Sequence, residues 1–341
     1  MSSDFSNNLN FLGPPEGFAK FCLEVQASFS TYPDDKHHST RTVLANLLKV
    51  AKSSIAIGIG ATELLSIFPI FSKSGAIIIE PCFWEYEYFY RRTHGDAQPL
   101  FRLTLLEPDF KLDYNELERS LSSTGVDLCY LANPNNPTAT ELDNPKILEI
   151  ICKHPDVLFI VDETYINFSQ SDLKSLVPYI TTATNICVVS SLSKIYSLPG
   201  LRIGIAVSNS ELISTMYERY LLPYGVSPIS LSAIPWLLKQ TDYIGRTQEM
   251  YTQRRDYMTK KIGKLFSHNI QIVESSSAFV LLKINSFSKN MAKELNKMGL
   301  TVRSGSEFPK LGNNWIRVSI KDYEHIDKLV DGLKNVLSVR N

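Results

Sequence analysis

Ile186-Cys-Val-Val-Ser-Ser-Leu-Ser-Lys-Ile-Tyr-Ser-Leu-Pro-Gly-Leu-Arg-Ile-Gly204 opens as an apolar, β-branched run and closes on a Pro-Gly turn, an arginine and a second apolar run. The first run reads as a strand buried on both faces of a parallel sheet. A lysine is normally a solvated surface charge, yet Lys194 follows directly from this strand, with Ser191 and Ser193 before it and Arg202 eight positions after it. Hydroxyls and a guanidinium gathered beside an amine suit a phosphate ester whose other end reacts with that amine. Pyridoxal phosphate is such a molecule, with an aldehyde for the lysine and a phosphate for the serines and arginine.

Three neighbouring segments repeat the pattern of strand followed by polar turn. Asp162-Glu-Thr-Tyr165 follows Val157-Leu-Phe-Ile-Val161. A carboxylate at the end of a buried strand is costly unless it meets a positive group, and a pyridinium nitrogen would be one. Tyr165 could then reach the ring hydroxyl. Asn133-Pro-Asn-Asn-Pro-Thr138 follows the apolar Asp127–Leu131 run, and its prolines fix a turn that presents Asn136 to the same ring oxygen. In Ile57-Gly-Ile-Gly-Ala-Thr-Glu63 a glycine-bearing turn opens a helix, whose first-turn N–H groups make an anion site. Taken singly, each has a bland reading: a turn, a loop or a surface charge. Their shared order, each after a predicted strand, favours the common reading.

The order Gly-Ala-Thr-Glu, Asn-Asn-Pro-Thr, Asp-Glu-Thr-Tyr, Ser-x-Ser-Lys and Arg resembles the fold-type I pyridoxal-phosphate aminotransferases, in the branch of histidinol-phosphate aminotransferase and threonine-phosphate decarboxylase. The similarity runs from Asp4–Pro15 to Trp315–Ser319. It implies Lys194 as the Schiff-base lysine, Asp162 on the pyridinium, and Asn136 with Tyr165 on the ring hydroxyl. Ser191, Ser193 and Arg202 would hold the phosphate, joined by the turn at Gly60 and the backbone amides of Ala61 and Thr62. Phe83 is the aligned ring-stacking aromatic, with Trp84 beside it. Tyr32 matches a tyrosine that the family lends to the phosphate of the neighbouring subunit, which implies a homodimer with composite sites. On the substrate side the resemblance points to Arg317 as the clamp for the α-carboxylate and to Asn8. For Arg303 a structural ion pair and a ligand role stand equal.

Two departures accompany the resemblance. Members of this branch carry an N-terminal leader that helps bind the substrate's own phosphate, whereas Asp4-Phe5-Ser6 already lie inside the shared region. Either another element supplies that phosphate site or the substrate carries no phosphate, and the second is the expectation. Ala139 stands where a glycine usually closes the Asn-Asn-Pro-Thr-Gly element, which should alter only local turn freedom.

The remaining chain agrees with an enzyme of α/β class. It has 341 residues, 44% hydrophobic, enough for a large core and a second small domain. Lys plus Arg and Asp plus Glu number 35 each, so no net field favours nucleic acid or an anionic membrane. Five scattered cysteines without a C-x-x-C pair point to reduced thiols and a cytoplasmic protein. The six histidines show no ligand spacing, so no metal is expected. No signal peptide is visible.

Strands are predicted at Ile55–Ile59, Ala76–Glu80, Asp127–Ala132, Val157–Asp162, Ile186–Ser190 and Ile203–Ser208. Helices between them give a mostly parallel, doubly wound sheet with its ligands at the strand ends. One helix is predicted at Tyr114–Ser122, with Asp113 and Glu116 as a capping box. Residues 36–222 would form this large domain. Residues 1–35 and 223–341 would form a small α+β domain, with strands at Ser277–Ile284, Leu300–Ser304 and Trp315–Ile320 and a helix at Ser288–Met298. Three functional readings follow. The first is an aminotransferase passing an amino group between a small amino acid and a 2-keto acid. The second is an L-threonine-O-3-phosphate decarboxylase, with histidinol-phosphate aminotransferase less favoured. The third, a non-catalytic pyridoxal-phosphate-binding regulator, lacks room for a DNA-binding domain.

Overall fold

Seven short runs rich in Ile, Val and Leu make the central sheet of the computed structural model, which describes residues 3–169, 171–285 and 289–338. They are β1 (Ile55–Ile59), β2 (Ala76–Glu80), β3 (Leu100–Thr104), β4 (Leu128–Ala132), β5 (Leu158–Asp162), β6 (Ile186–Ser191) and β7 (Ile203–Ser208). In space their order is β1-β7-β6-β5-β4-β2-β3. The pairs from β6 to β3 are parallel, while β7 runs antiparallel to both β6 and β1. The reversal of β7 matters for everything downstream. Its amino end, preceded by Arg202, lies at the same sheet edge as the carboxyl ends of β1, β4, β5 and β6. Register places Asp162 opposite Ala132 and Val189, and Ser191 opposite Gly204.

Helices open at that edge. Helix α1 (Gly60–Ile67) leaves β1 directly, α2 (Glu85–His94) follows the turn after β2, and the single-turn α3 (Leu192–Ile195) follows β6. Gly204 is where β7 passes α1. A Cβ there would lie 2.3 Å from the carbonyl carbon of Gly60 and 2.4 Å from the Ala61 nitrogen, so only glycine allows the approach.

A second, antiparallel sheet holds β8 (Ile270–Ile272), β9 (Phe279–Ile284), β10 (Arg303–Ser304) and β11 (Trp315–Ser319), in the order β10-β11-β9-β8. Helix α4 (Thr241–Phe266) connects the two sheets in sequence, and the N-terminal segment ties them in space. Ser3–Asp4 pairs in parallel with Leu300–Thr301. Further on, the Asn10 side chain donates to the Ile195 carbonyl and to Thr247 Oγ1 of α4 at 2.9 and 3.0 Å.

Several boundaries differ from the sequence reading. The Leu300–Ser304 run divides: its first half pairs with the N-terminus, its second with β11. The Ser288–Met298 helix spans only Met291–Asn296, and Ser288 lies outside the described residues. Asp113 caps its helix by accepting from the Asn115 and Glu116 amides, but Glu116 turns its side chain to Arg119 instead of completing the box. Ala139, at φ 60°, holds the left-handed conformation that its glycine-like position demands.

Two stability predictions follow from this packing. Gly204→Ala should lower unfolding free energy by about 3 kcal/mol or more, because backbone cannot yield as a side chain does. Gly200→Ala, with open space around it, should be close to neutral in the same urea titration. The second concerns Glu163, whose carboxyl burial pushes up to about 7 from an ordinary 4.5. The native state keeps a proton that the unfolded chain releases, so stability is fully present at low pH and falls as pH rises between those values. Glu163→Gln retains an acceptor for the Leu176 N–H. It should gain about 3 kcal/mol near pH 8 and nothing below about pH 4.5 in pH-resolved denaturation.

Candidate active site

The strand ends and the N-terminal segment enclose a cavity of about 330 Å³. Lys194, Asp162, Tyr165, Asn136, Ser191, Ser193, Arg202, Ala61, Thr62, Phe83, Asn8, Arg303 and Arg317 all line it. Phe83 lines the cavity, whereas Trp84 is outside its wall and 41% exposed. Gly60 sits just behind the wall, its N–H donating to the Arg202 carbonyl at 2.8 Å. Tyr32 does not reach this cavity. It is 89% exposed and packs against Tyr224.

Asp162 ends β5 almost fully buried, at 8% exposure. Its Oδ1 accepts from the Thr164 N–H at 2.9 Å and its Oδ2 from the Tyr86 hydroxyl at 2.8 Å. Burial pushes its carboxyl above the ordinary aspartate range, and these hydrogen bonds pull it partly back. Lys194 extends from α3 into the same space. Burial, reinforced by Arg317 and Arg202, holds its ammonium below the ordinary lysine range, which favours the free amine. Among the described residues neither group has an ion-pair partner within the chain.

Arg202 rises from a left-handed turn at φ 48° and lays its guanidinium against Gly60, where a Cβ would come within 2.6 Å of Nη2. The N-terminus of α1, Ser191 and Ser193 complete this end of the cavity. Ser193 Oγ is buried with no hydrogen-bond partner among the described residues. An orphaned hydroxyl beside a guanidinium and free first-turn amides is the donor set that a phosphate requires.

The opposite end belongs to the smaller sheet. Register sets Arg303 directly across from Arg317, an arrangement that repels unless an anion lies between or beside the charges. Arg303 relieves part of this by pairing with Glu307 at 3.2 Å. Arg317 has no carboxylate partner among the described residues. It donates to Asn136 Oδ1 at 2.7 Å and to the Ser6 carbonyl at 2.6 Å, and lies against the Phe279 and Phe308 rings. Burial pulls its pKa down to about 10, still charged at neutral pH. Asn136, its oxygen occupied, has only N–H groups left for a ligand. Asn8 Nδ2 donates to the Tyr165 hydroxyl at 3.0 Å.

The sequence reading missed Ser6, Glu85 and Thr164 in this wall, and the hydrogen bond of Tyr86. Glu85 and Tyr86 stand at the start of α2 beside the aligned Phe83, a position that could have drawn attention to them. A grouping with metal-ligand spacing, Asp34, Asp35 and His38, is exposed and lies outside the cavity wall.

A single ligand would therefore meet a set of anion-binding donors, a lysine amine, a buried carboxylate and, beyond them, a buried arginine. Residues 6–333 match the family described as aminotransferase class I and II. The chain is 29% identical over 340 residues to the adenosylcobalamin biosynthesis bifunctional protein of Leptospira interrogans, covering 98% of this chain but 38% of that longer protein. It is also 29% identical over 329 residues to the histidinol-phosphate aminotransferase of Methanosarcina mazei, covering 95% of this chain and 85% of the other. In fold it is similar to the L-threonine-O-3-phosphate decarboxylase of Porphyromonas gingivalis, with a TM-score of 0.84 at 22% identity over 98% and 99% of the two chains. The family match over nearly the whole length, together with this fold, makes the chain a member of the class I and II aminotransferases, fold-type I enzymes that depend on pyridoxal phosphate.

Proposed function

We propose that this protein is a pyridoxal-phosphate-dependent aminotransferase that passes an amino group between a small amino acid and a 2-keto acid. The observation that carries the proposal is Arg317: a buried group, charged at neutral pH, that shares a cavity with the Lys194 amine and lacks a carboxylate partner among the described residues. An α-carboxylate supplies that partner in a two-pronged hydrogen bond. Because Glu307 already answers Arg303, one substrate anion balances the pair.

Pyridoxal phosphate, when bound, supplies an aldehyde for amines and a ring that stores the electrons released at the substrate's α-carbon. Asp162 would meet the ring nitrogen, Asn136 and Tyr165 the ring hydroxyl, and Phe83 the ring face. Ser191, Ser193, Arg202 and the Ala61 and Thr62 amides would hold the phosphate. Lys194 Nζ, biased toward the free amine, takes the α-proton of the substrate and returns it. Arg317 holds the carboxylate in place while the proton leaves, and Asn8 keeps the Tyr165 hydroxyl oriented. The amino group leaves one carbon skeleton, which becomes a keto acid, and is received by another. In this reading the protein works in the cytoplasm as a homodimer, with Tyr32 completing the phosphate site of the partner subunit.

A second reading is L-threonine-O-3-phosphate decarboxylation. It draws on Arg303: were Glu307 to turn away, two adjacent arginines would suit a substrate with two anionic groups. Absorbance titration of the cofactor-loaded protein separates the two. Single L-amino acids should cause lasting loss of the visible band with keto-acid formation. Carbon dioxide released from O-phosphothreonine, with the band returning, would establish the decarboxylase instead.

Lys194→Ala should abolish the visible band and turnover together; activity at the wild-type level would refute the central assignment. Arg317→Ala should raise KM for the amino acid by about 10- to 100-fold, with a smaller change in kcat. An unchanged KM would remove Arg317 from the substrate site.

A further inference from the structure

We propose that Tyr86 is a positioning residue that, through Asp162, keeps the ring nitrogen of the bound cofactor protonated. The inference rests on the reading above, in which Asp162 meets that nitrogen.

Tyr86 stands in the first turn of α2 and is 2% exposed. Its hydroxyl donates to Asp162 Oδ2 at 2.8 Å, while Thr164 meets the other oxygen, Oδ1. The ring cannot swing away. It is stacked on Tyr130 with centroids 5.2 Å apart and planes 13° apart, and meets Phe83 edge-on at 5.9 Å and 84°. Tyr86 thus touches both the aromatic proposed to stack on the ring and the carboxylate proposed to anchor it.

The consequence is chemical. A buried carboxylate without donors holds a proton tightly, and would share or take the proton of a pyridinium placed against it. A hydroxyl donating to one oxygen stabilises the ionised carboxylate and lowers its basicity. The proton then stays on the ring nitrogen, where it strengthens the ring as an electron sink. Tyr86 keeps its own proton, since burial and the adjacent Asp162 push its pKa up.

The test uses full-length protein loaded with pyridoxal phosphate carrying nitrogen-15 in the ring. In wild type the nitrogen resonance should be that of a protonated pyridine. In Tyr86→Phe, which keeps the stacked ring, it should move toward the unprotonated position, and affinity of the cofactor-free protein for pyridoxal phosphate should fall about tenfold. In an Asp162→Asn background, adding Tyr86→Phe should change neither quantity. A protonated resonance in Tyr86→Phe overturns the proposal, as does an equal loss of affinity in the Asp162→Asn background. Failure of the wild type to bind pyridoxal phosphate through Lys194 would instead sink the functional reading itself.

Discussion

The site depends on one close backbone contact, that of Gly204 in β7 with the Gly60–Ala61 peptide at the start of α1. Because β7 is reversed, it begins where β1 ends, and two glycines let the chains cross without side chains between them. This contact carries Arg202 to the N-terminus of α1 and sets Ser191 across from Gly204. A parallel strand here would have delivered Arg202 to the far edge of the sheet. The proposed phosphate cradle is thus a result of strand direction as much as of residue type.

Around this frame the protein assembles buried and half-buried titratable groups that do not neutralise one another. Asp162, Lys194 and Arg317 each lie in the cavity wall, and among the described residues none has an ion pair within the chain. Unpaired buried charge costs several kcal/mol per group, and proteins keep it where a ligand completes the set. In the proposed function the missing partners are complementary in kind: a cation for Asp162, a carbonyl for Lys194 and a carboxylate for Arg317. The large apolar core beneath the strand ends, from Ile55 and Ile57 to Phe159 and Val188, supplies the rigidity that holds them apart.

How legible these features were follows from how local they are. Six of the seven central strands could be read from apolar runs that are buried on both faces. The strand that escaped, Leu100–Thr104, lies at the sheet edge with Phe101, Arg102 and Thr104 exposed, so its pattern is short and mixed. Ile270–Ile272 is also an edge strand and spans three residues, too few to show a period. At Leu300–Ser304 one apolar run serves two sheets, a division that depends on where the N-terminus arrives.

The sequence by itself determined the fold class, the strand-then-turn motifs and most of the residues proposed for the cofactor cradle, because each of those motifs lies within a few residues of a strand end. Tertiary structure alone decided what those groups face. Tyr86 meets Asp162 across 76 positions, and Asn136 meets Arg317 across 181. Arg303 stands beside Arg317 through antiparallel register, and Asn8 reaches Tyr165 because the N-terminal segment crosses between the two sheets. Such contacts are set by register and by the packing of whole elements, which no local run of residues encodes.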